Sequence, residues 1–265
     1  MRTKSAKMGI AAGVGVIVLL VVWWRVLPFP LFDVEYSTVV TDRKGEILGM
    51  TVAEDGQYRV KGRNRLSAKY VAAVLCFEDK RFLAHHGVDW VAMARAMWQN
   101  VSRGEVVSGG STLSMQVIRL ARGNPPRTVG EKMREMVSAM RLELRCSKWE
   151  ILNLYATHAP FGGNIVGIEA ASLKYFGRGP TSLSWAEAAL LAVLPNAPAL
   201  MYPGRNNDNL KTKRDCLLRD LAASGYLDSE DLQLALAEPL PERMWRTDCV
   251  APHLLARAFL ERRGE

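Results

Sequence analysis

From Ser67 to Ala237 the sequence carries one helix pattern after another, each opened by a capping residue or closed by Gly or Pro, and this limits the fold most. Ser67 can cap a helix on which Val71, Val74 and Leu75 share one face. Asp89–Val101 follows with Trp90, Ala94, Met97 and Val101 in register, and Ser111 is placed to cap the next helix. A long helix over Thr128–Arg145 carries Val129, Met133, Met136, Val137, Met140 and Leu144 on one broad apolar face. Ser147-Lys-Trp-Glu150 and Ser184-Trp-Ala-Glu187 have capping-box spacing. Pro160 closes the helix begun by the first box, and Pro195 closes the helix begun by the second. Ile165–Phe176, stopped by Gly177, Asn209–Ala223 and Ser229–Ala237 complete the helical reading. Ahead of Ser67, two β-rich runs flank the turn DRKG and a third follows Asp55-Gly56, which predicts a small hairpin or meander. The expected class is mainly α with a small N-terminal β element.

Met8–Trp24 (MGIAAGVGVIVLLVVWW) is uncharged and apolar, near the lower limit of roughly 17–25 residues for a spanning helix. Arg2, Lys4 and Lys7 precede it, so the positive-inside rule leaves the N-terminus in the cytoplasm and exports the rest. The following WWRVLPFPLF holds no small-x-small cleavage site, which favours an uncleaved anchor over a signal peptide. The organisation expected is a cytoplasmic tail over 1–7, an anchor over 8–24, and a connector with the β element over 25–60. A main domain over 61–225 and a helical tail over 226–265 follow. With 49% hydrophobic residues the chain can build one sizeable core. A formal net charge of +8 favours anionic partners, phosphates or lipid headgroups among them. No nucleic-acid-binding signature or zinc spacing accompanies that charge. Cys76, Cys146, Cys216 and Cys249 show no metal-like spacing, and the helical patterns around Cys76 and Cys146 predict buried free thiols.

FEDKRFLAHHG, from Phe77 to Gly87, sets Glu78 and Asp79 directly after the apolar run YVAAVLCF. A carboxylate at a helix C-terminus opposes the helix dipole, so the acid pair reads as a solvated helix end, a metal site or an enzymatic base. Adjacent His85 and His86 point different ways on a helix and no third ligand is evident, so no metal is assigned. GEVVSGGSTLSMQ places Gly109-Gly110 before Ser111, and the backbone N–H groups of such a helix start can receive an anion. Two carboxylates on separate helices, this loop, several cations and a tether together suit chemistry on a phosphate-bearing lipid at a membrane surface.

EDKRFLAHHGVD resembles the first motif of the peptidoglycan glycosyltransferases, the polymerising domain of class A penicillin-binding proteins, through Glu78, Asp79, Phe82, His85 and Gly87. GGSTLSMQ resembles the second, through Gly110, Ser111, Thr112 and Gln116. RTVGEKMREMVSAMRLE resembles the third, through Arg127, Lys132, Glu135 and Glu143; SKWEILNLY resembles the fourth, and WAEAALLAVLPNAP the helix beyond it. The motifs run in the family's order over roughly Tyr36 to Asp220, and APFGGN with Met115-Gln116 looks most like the penicillin-binding protein 1C branch. Three departures stand out: Met115 where Gln is usual, Glu131 where a cation is common, and Ala156-Thr157 where Leu-Asn usually follows Tyr155.

The resemblance implies a lysozyme-like, two-lobed domain that polymerises lipid II into β-1,4-linked glycan strands. The 4-hydroxyl of incoming lipid II would attack C1 of the growing strand, invert it and expel undecaprenyl pyrophosphate. Glu78 is then the general base, worth typically about 10²–10⁴-fold, with its pKa raised by the greasy helix before it. Glu135 is the second catalytic carboxylate. Asp79, Gly110, Ser111, Thr112, Gln116, Arg119, Arg127, Lys132 and Lys148 are the substrate-binding candidates, the cations stabilising the leaving pyrophosphate with or without Mg or Mn. The implied setting is the outer face of a bacterial inner membrane, with membrane lipids and other cell-wall synthesis proteins as partners and moenomycin as the family's inhibitor. No Ser-x-x-Lys, Ser-Asp-Asn or Lys-Thr-Gly is present, so transpeptidation is not expected, although the tail from Cys249 resembles the entry to a transpeptidase domain. A muramidase or lytic transglycosylase, which also works with two carboxylates, is one alternative. A membrane scaffold that has lost turnover is the other.

Overall fold

The computed structural model describes residues 30–265 except 44–46, 63–64, 105–108, 197, 243, 245–250 and 264–265, and of the preceding residues only 15, 23 and 27. The expected anchor Met8–Trp24 lies almost wholly outside the described residues, and no described helix is long and apolar enough to cross a membrane. The elements in chain order are β1 (Val39–Thr41), β2 (Ile47–Met50), β3 (Tyr58–Arg59), α1 (Ala68–Glu78), α2 (Trp90–Arg103), α3 (Leu113–Ala121) and α4 (Val129–Glu143). Then come α5 (Lys148–His158), β4 (Ile165–Val166), α6 (Ile168–Phe176), α7 (Trp185–Val193), α8 (Asn207–Ala223), α9 (Ser229–Ala237) and α10 (Pro252–Arg263). The chain is mainly helical, as its periodicity predicts. It divides into two compact units, one of Met1–Asp33 with His85–Ser147, the other of Val34–Ala84 with Lys148–Glu265.

The second unit is built around α7. Every residue from Ala186 to Val193 is buried, and the four alanines of this helix let α1 and α8 pack closely on it. The Ser184 capping box forms as its spacing predicts: Ser184 Oγ accepts from Glu187 N, and Glu187 Oε2 accepts from Ser184 N. Arg214, 1% exposed, ties α8 to the end of α9 by donating to Glu238 O at 2.6 Å, while its Nε donates to Asp215 Oδ1 of the same helix at 2.9 Å.

The β element departs from the expected meander. β1 and β2 pair antiparallel, but β3 pairs parallel with β4, placing Tyr58 beside Ile165 and Arg59 beside Val166. Asn164 makes that register possible, because its carbonyl accepts from Tyr58 N and its Nδ2 donates to Gly56 O. For the same reason Ile165 does not begin a helix. Its side chain is buried at the strand, and Gly167, at φ 85°, holds the chain out of the helical region until Ile168.

The first unit contains α2, α3 and α4, with α3 packed on α4. Thr112 rather than the expected Ser111 caps α3, its hydroxyl accepting from Met115 N. The broad apolar face expected on α4 is only partly used: Met136 is buried, whereas Val129, Met133 and Leu144 are exposed. Small or polar residues line the buried side instead, with Ser138 and Ala139 enclosed beside Glu135 and Leu142. Likewise Trp90, Met97 and Val101 of α2 are exposed, together with Trp98. Cys76 is a buried free thiol as predicted, while Cys146 is only half-buried.

His158, at the end of α5, is buried near Arg59, which itself donates to Glu35 O and pairs with Asp55. Burial, and secondarily the Arg59 charge, lowers the imidazole pKa to about 4. The unfolded chain therefore takes up this proton first, so the stability His158 contributes is present above pH 6.5 and lost as pH falls toward 4. Urea midpoints measured from pH 7 to 4 should fall more steeply for wild type than for His158→Asn; parallel curves would disprove the assignment.

Candidate active site

In the second unit, α1 runs unbroken to Glu78, and no basic residue occupies its last turn. Glu78 is half-exposed, while Asp79, 7% exposed, forms the C-cap: its N–H donates to Leu75 O and its carbonyl accepts from Phe82 N. Phe82 is thereby turned inward at the start of a short 3-10 turn. Lys148 Nζ stands 4.4 Å from the Phe82 ring centroid, so this cation covers the motif that carries Glu78 rather than lying free on the surface. Tyr70 and Tyr155 are fully enclosed near Glu78. Burial first, and then the Glu78 carboxylate, pushes both phenols far above their ordinary pKa and keeps them neutral. Sequence reasoning passes over these two residues, because a tyrosine within an apolar pattern reads as core.

In the first unit, the remaining candidates cluster where α3 begins and α4 passes. Gly87, at φ 90°, packs directly on α4: a Cβ there would stand 2.6 Å from the Ala139 carbonyl carbon. The Gly87 carbonyl accepts a 2.6 Å hydrogen bond from Thr112 Oγ1, so one hydroxyl both caps α3 and fixes the first-motif glycine. Gly110 passes α2 at equally close range, since a Cβ would lie 2.7 Å from Met93 Cγ. These contacts set Ser111 against α4, where Lys132 Nζ donates to Ser111 Oγ at 2.5 Å. Lys132 Nζ also lies 3.7 Å from Oε2 of Glu135, a carboxylate only 6% exposed.

Burial lowers the pKa of Lys132 below that of an ordinary lysine; Glu135 resists this, while Arg119 and Arg127 add to it. Lys132, Arg119 and Arg127 are thus one electrostatic group, which incoming negative charge would stabilise. Gln116 is half-buried on α3. The neighbouring Met115 is wholly buried, so the departure at that position fills the core. Glu143 accepts a 2.5 Å hydrogen bond from the enclosed Ser114 hydroxyl and joins α3 to α4. His85 is buried and His86 exposed, and among the described residues no group of three or more His, Cys, Asp or Glu is arranged to hold a metal ion.

The family model described as Transglycosylase matches residues 44–222, which takes in both groups of residues. The chain belongs to the transglycosylase family. It is 40% identical to penicillin-binding protein 1C of Escherichia coli (strain K12) over 217 residues, covering 82% of this chain and 28% of that protein. It is 36% identical to the biosynthetic peptidoglycan transglycosylase of Acinetobacter baumannii (strain ACICU) over 154 residues, 58% of this chain and 68% of that one. The crystal structure of penicillin-binding protein 1A from Haemophilus influenzae aligns with a TM-score of 0.46 at 18% identity, covering 88% of this chain and 25% of that one. This transglycosylase chain spans about a quarter to a third of the length of the penicillin-binding proteins 1C and 1A from Escherichia coli and Aquifex aeolicus that it matches.

Because Thr112 serves both α3 and Gly87, Thr112→Val should destabilise this transglycosylase by roughly 2 kcal/mol, the sum of a cap and a buried hydrogen bond. Thr112→Ser should recover most of that loss in thermal or urea unfolding. Equal loss in both variants would show that the hydroxyl does not carry the stabilisation.

Proposed function

We propose that this chain polymerises lipid II into β-1,4-linked glycan strands, with the lysozyme-like fold that the family resemblance implies. The observation that carries the reading is the grouping of Ser111, Lys132, Arg119 and Arg127 beside buried Glu135 in a chain of the transglycosylase family. Glu78 takes the proton from the attacking 4-hydroxyl. The new bond forms from that oxygen to the donor C1 with inversion, the bond from C1 to the pyrophosphate oxygen breaks, and undecaprenyl pyrophosphate leaves with the electron pair. Lys132, Arg119 and Arg127 take up the charge that develops on the leaving group, with Ser111 and Gln116 as hydrogen-bond partners for its oxygens or for the donor sugar. Glu135 holds Lys132 on this side of α4. The partly buried Lys132 suits this role, since an ammonium already depressed by burial and by two guanidiniums gains most from an arriving anion. Among the described residues no group of three or more His, Cys, Asp or Glu is arranged to hold a metal ion, and the set around Lys132 is cationic apart from Glu135, so Mg or Mn would enter as a counter-ion of the substrate rather than as a metal held by the protein.

The setting is the outer face of a bacterial plasma membrane. The apolar run Met8–Trp24 and the exposed Trp90, Met97, Trp98 and Val101 on one side of α2 support that placement.

Incubation with lipid II tests the reading directly. Wild type should form long strands, moenomycin should block them, and Glu78→Gln should lower the rate by about 10²-fold or more while retaining the fold. Release of fragments from sacculi without strand synthesis would replace this reading with a muramidase or lytic transglycosylase. Unchanged synthesis by Glu78→Gln would remove Glu78 as the base.

A further inference from the structure

Between Arg119 and Glu135 the chain carries five cations, Arg119, Arg122, Arg127, Lys132 and Arg134, and two carboxylates, Glu131 and Glu135. Glu135 is committed to Lys132. Glu131 is taken by two arginines at once: Arg122 donates to Oε2 at 2.8 Å, and Arg134 to Oε1 at 2.7 Å. Arg122 is the C-cap of α3, while Glu131 and Arg134 lie in the opening turns of α4, so this grip spans the connection between the two helices.

That connection is shaped to be held. Gly123 and Asn124 are both left-handed, at φ 73° and 56°, and the Pro125-Pro126 pair stiffens the approach to α4. Asn124 N and Arg119 Nη2 close its near side, bonding to Arg119 O and Pro125 O. On its far side Thr128 caps α4 by accepting from Glu131 N. Arg127 lies on this connection, and Lys132 is the residue after Glu131.

We propose that Glu131 is a positioning residue: by gripping Arg122 and Arg134 it closes the α3–α4 connection and draws those two guanidiniums aside, leaving Arg119, Arg127 and Lys132 as the set that receives the substrate's pyrophosphate. The inference rests on the glycosyltransferase reading above. A carboxylate beside an anion-binding set would ordinarily weaken anion binding, yet two arginines on one carboxylate leave the Arg122–Glu131–Arg134 triad with a net positive charge. Although burial acts to raise it, the hydrogen bonds from Arg134 and Arg122 hold the Glu131 carboxyl below the ordinary glutamate pKa, so it remains charged and gripped at neutral pH. An exposed ion pair adds little stability, and the consequence expected of this triad is therefore geometric.

The test uses the full chain, with steady-state lipid II polymerisation, calorimetric titration with farnesyl pyrophosphate, and thermal unfolding. Glu131→Gln should raise KM for lipid II and Kd for farnesyl pyrophosphate about fivefold while kcat stays within about twofold. Arg122→Gln should do the same, and the double variant should be no worse than either alone. A tighter Kd in Glu131→Gln would mean that the carboxylate merely opposes the anion, and unchanged KM and Kd with a lower Tm would mean that it is only structural; either overturns the proposal. Wild type that neither polymerises lipid II nor binds farnesyl pyrophosphate would sink the glycosyltransferase reading, and this inference with it. Wild type that binds without polymerising leaves the decision to the Kd comparison alone.

Discussion

The hydrogen bond from Thr112 to the carbonyl of Gly87 is the contact on which the first unit depends. It exists because Gly87 lacks a side chain and can press its backbone onto α4. From that one seat three helices acquire their relation: Asp89, two residues beyond Gly87, caps α2, α3 begins from Thr112, and α4 is the surface beneath. Ser111 is carried to Lys132 because the residue after it is fixed twice, by its cap bond and by its bond to Gly87. The buried hydroxyl is costly to leave unpaired, and the two bonds remove that cost while setting the register of the site.

The electrostatics of this unit follow from how few carboxylates serve many cations. Glu135 is nearly enclosed and holds Lys132, whereas Glu131 remains nearer the surface and holds Arg122 and Arg134. The two acids stand four residues apart on α4, one turn of helix, yet organise different cations. In the second unit the same economy appears around Glu78, which has neutral, buried phenols of Tyr70 and Tyr155 nearby and Lys148 over the adjacent Phe82.

Much of this could be read in advance. The helix succession, the Ser184 capping box, the acid pair at the end of α1 and the third-motif pair Lys132 and Glu135 were all legible, because periodicity, caps and three-residue helical spacing are local properties. The parallel β3–β4 pair was not, since its partners are more than a hundred residues apart and its register depends on Asn164 reaching Gly56. Nor was the sparing use of the α4 apolar face: Val129, Met133 and Leu144 fit a helical stripe, but the neighbours available to cover them reach only part of it. Glu131 reads in sequence as a lost cation. Its two arginine partners, one of them nine residues away across a left-handed turn, make it part of a positively charged cluster.

The sequence by itself determined that the chain is mainly helical, where most helices start and stop, and which family its ordered motifs resemble. These follow from nearest-neighbour sterics, capping and the order of short motifs. Only the tertiary structure decided what each polar side chain is bonded to: Thr112 to Gly87, Glu131 to two arginines, Lys148 over Phe82, Met115 in the core. The reason is physical. A hydroxyl, a carboxylate or an ammonium is satisfied by whichever partner packing brings within about 3 Å, and that partner is set by backbone contacts as close as Gly87 on α4, which no local pattern encodes.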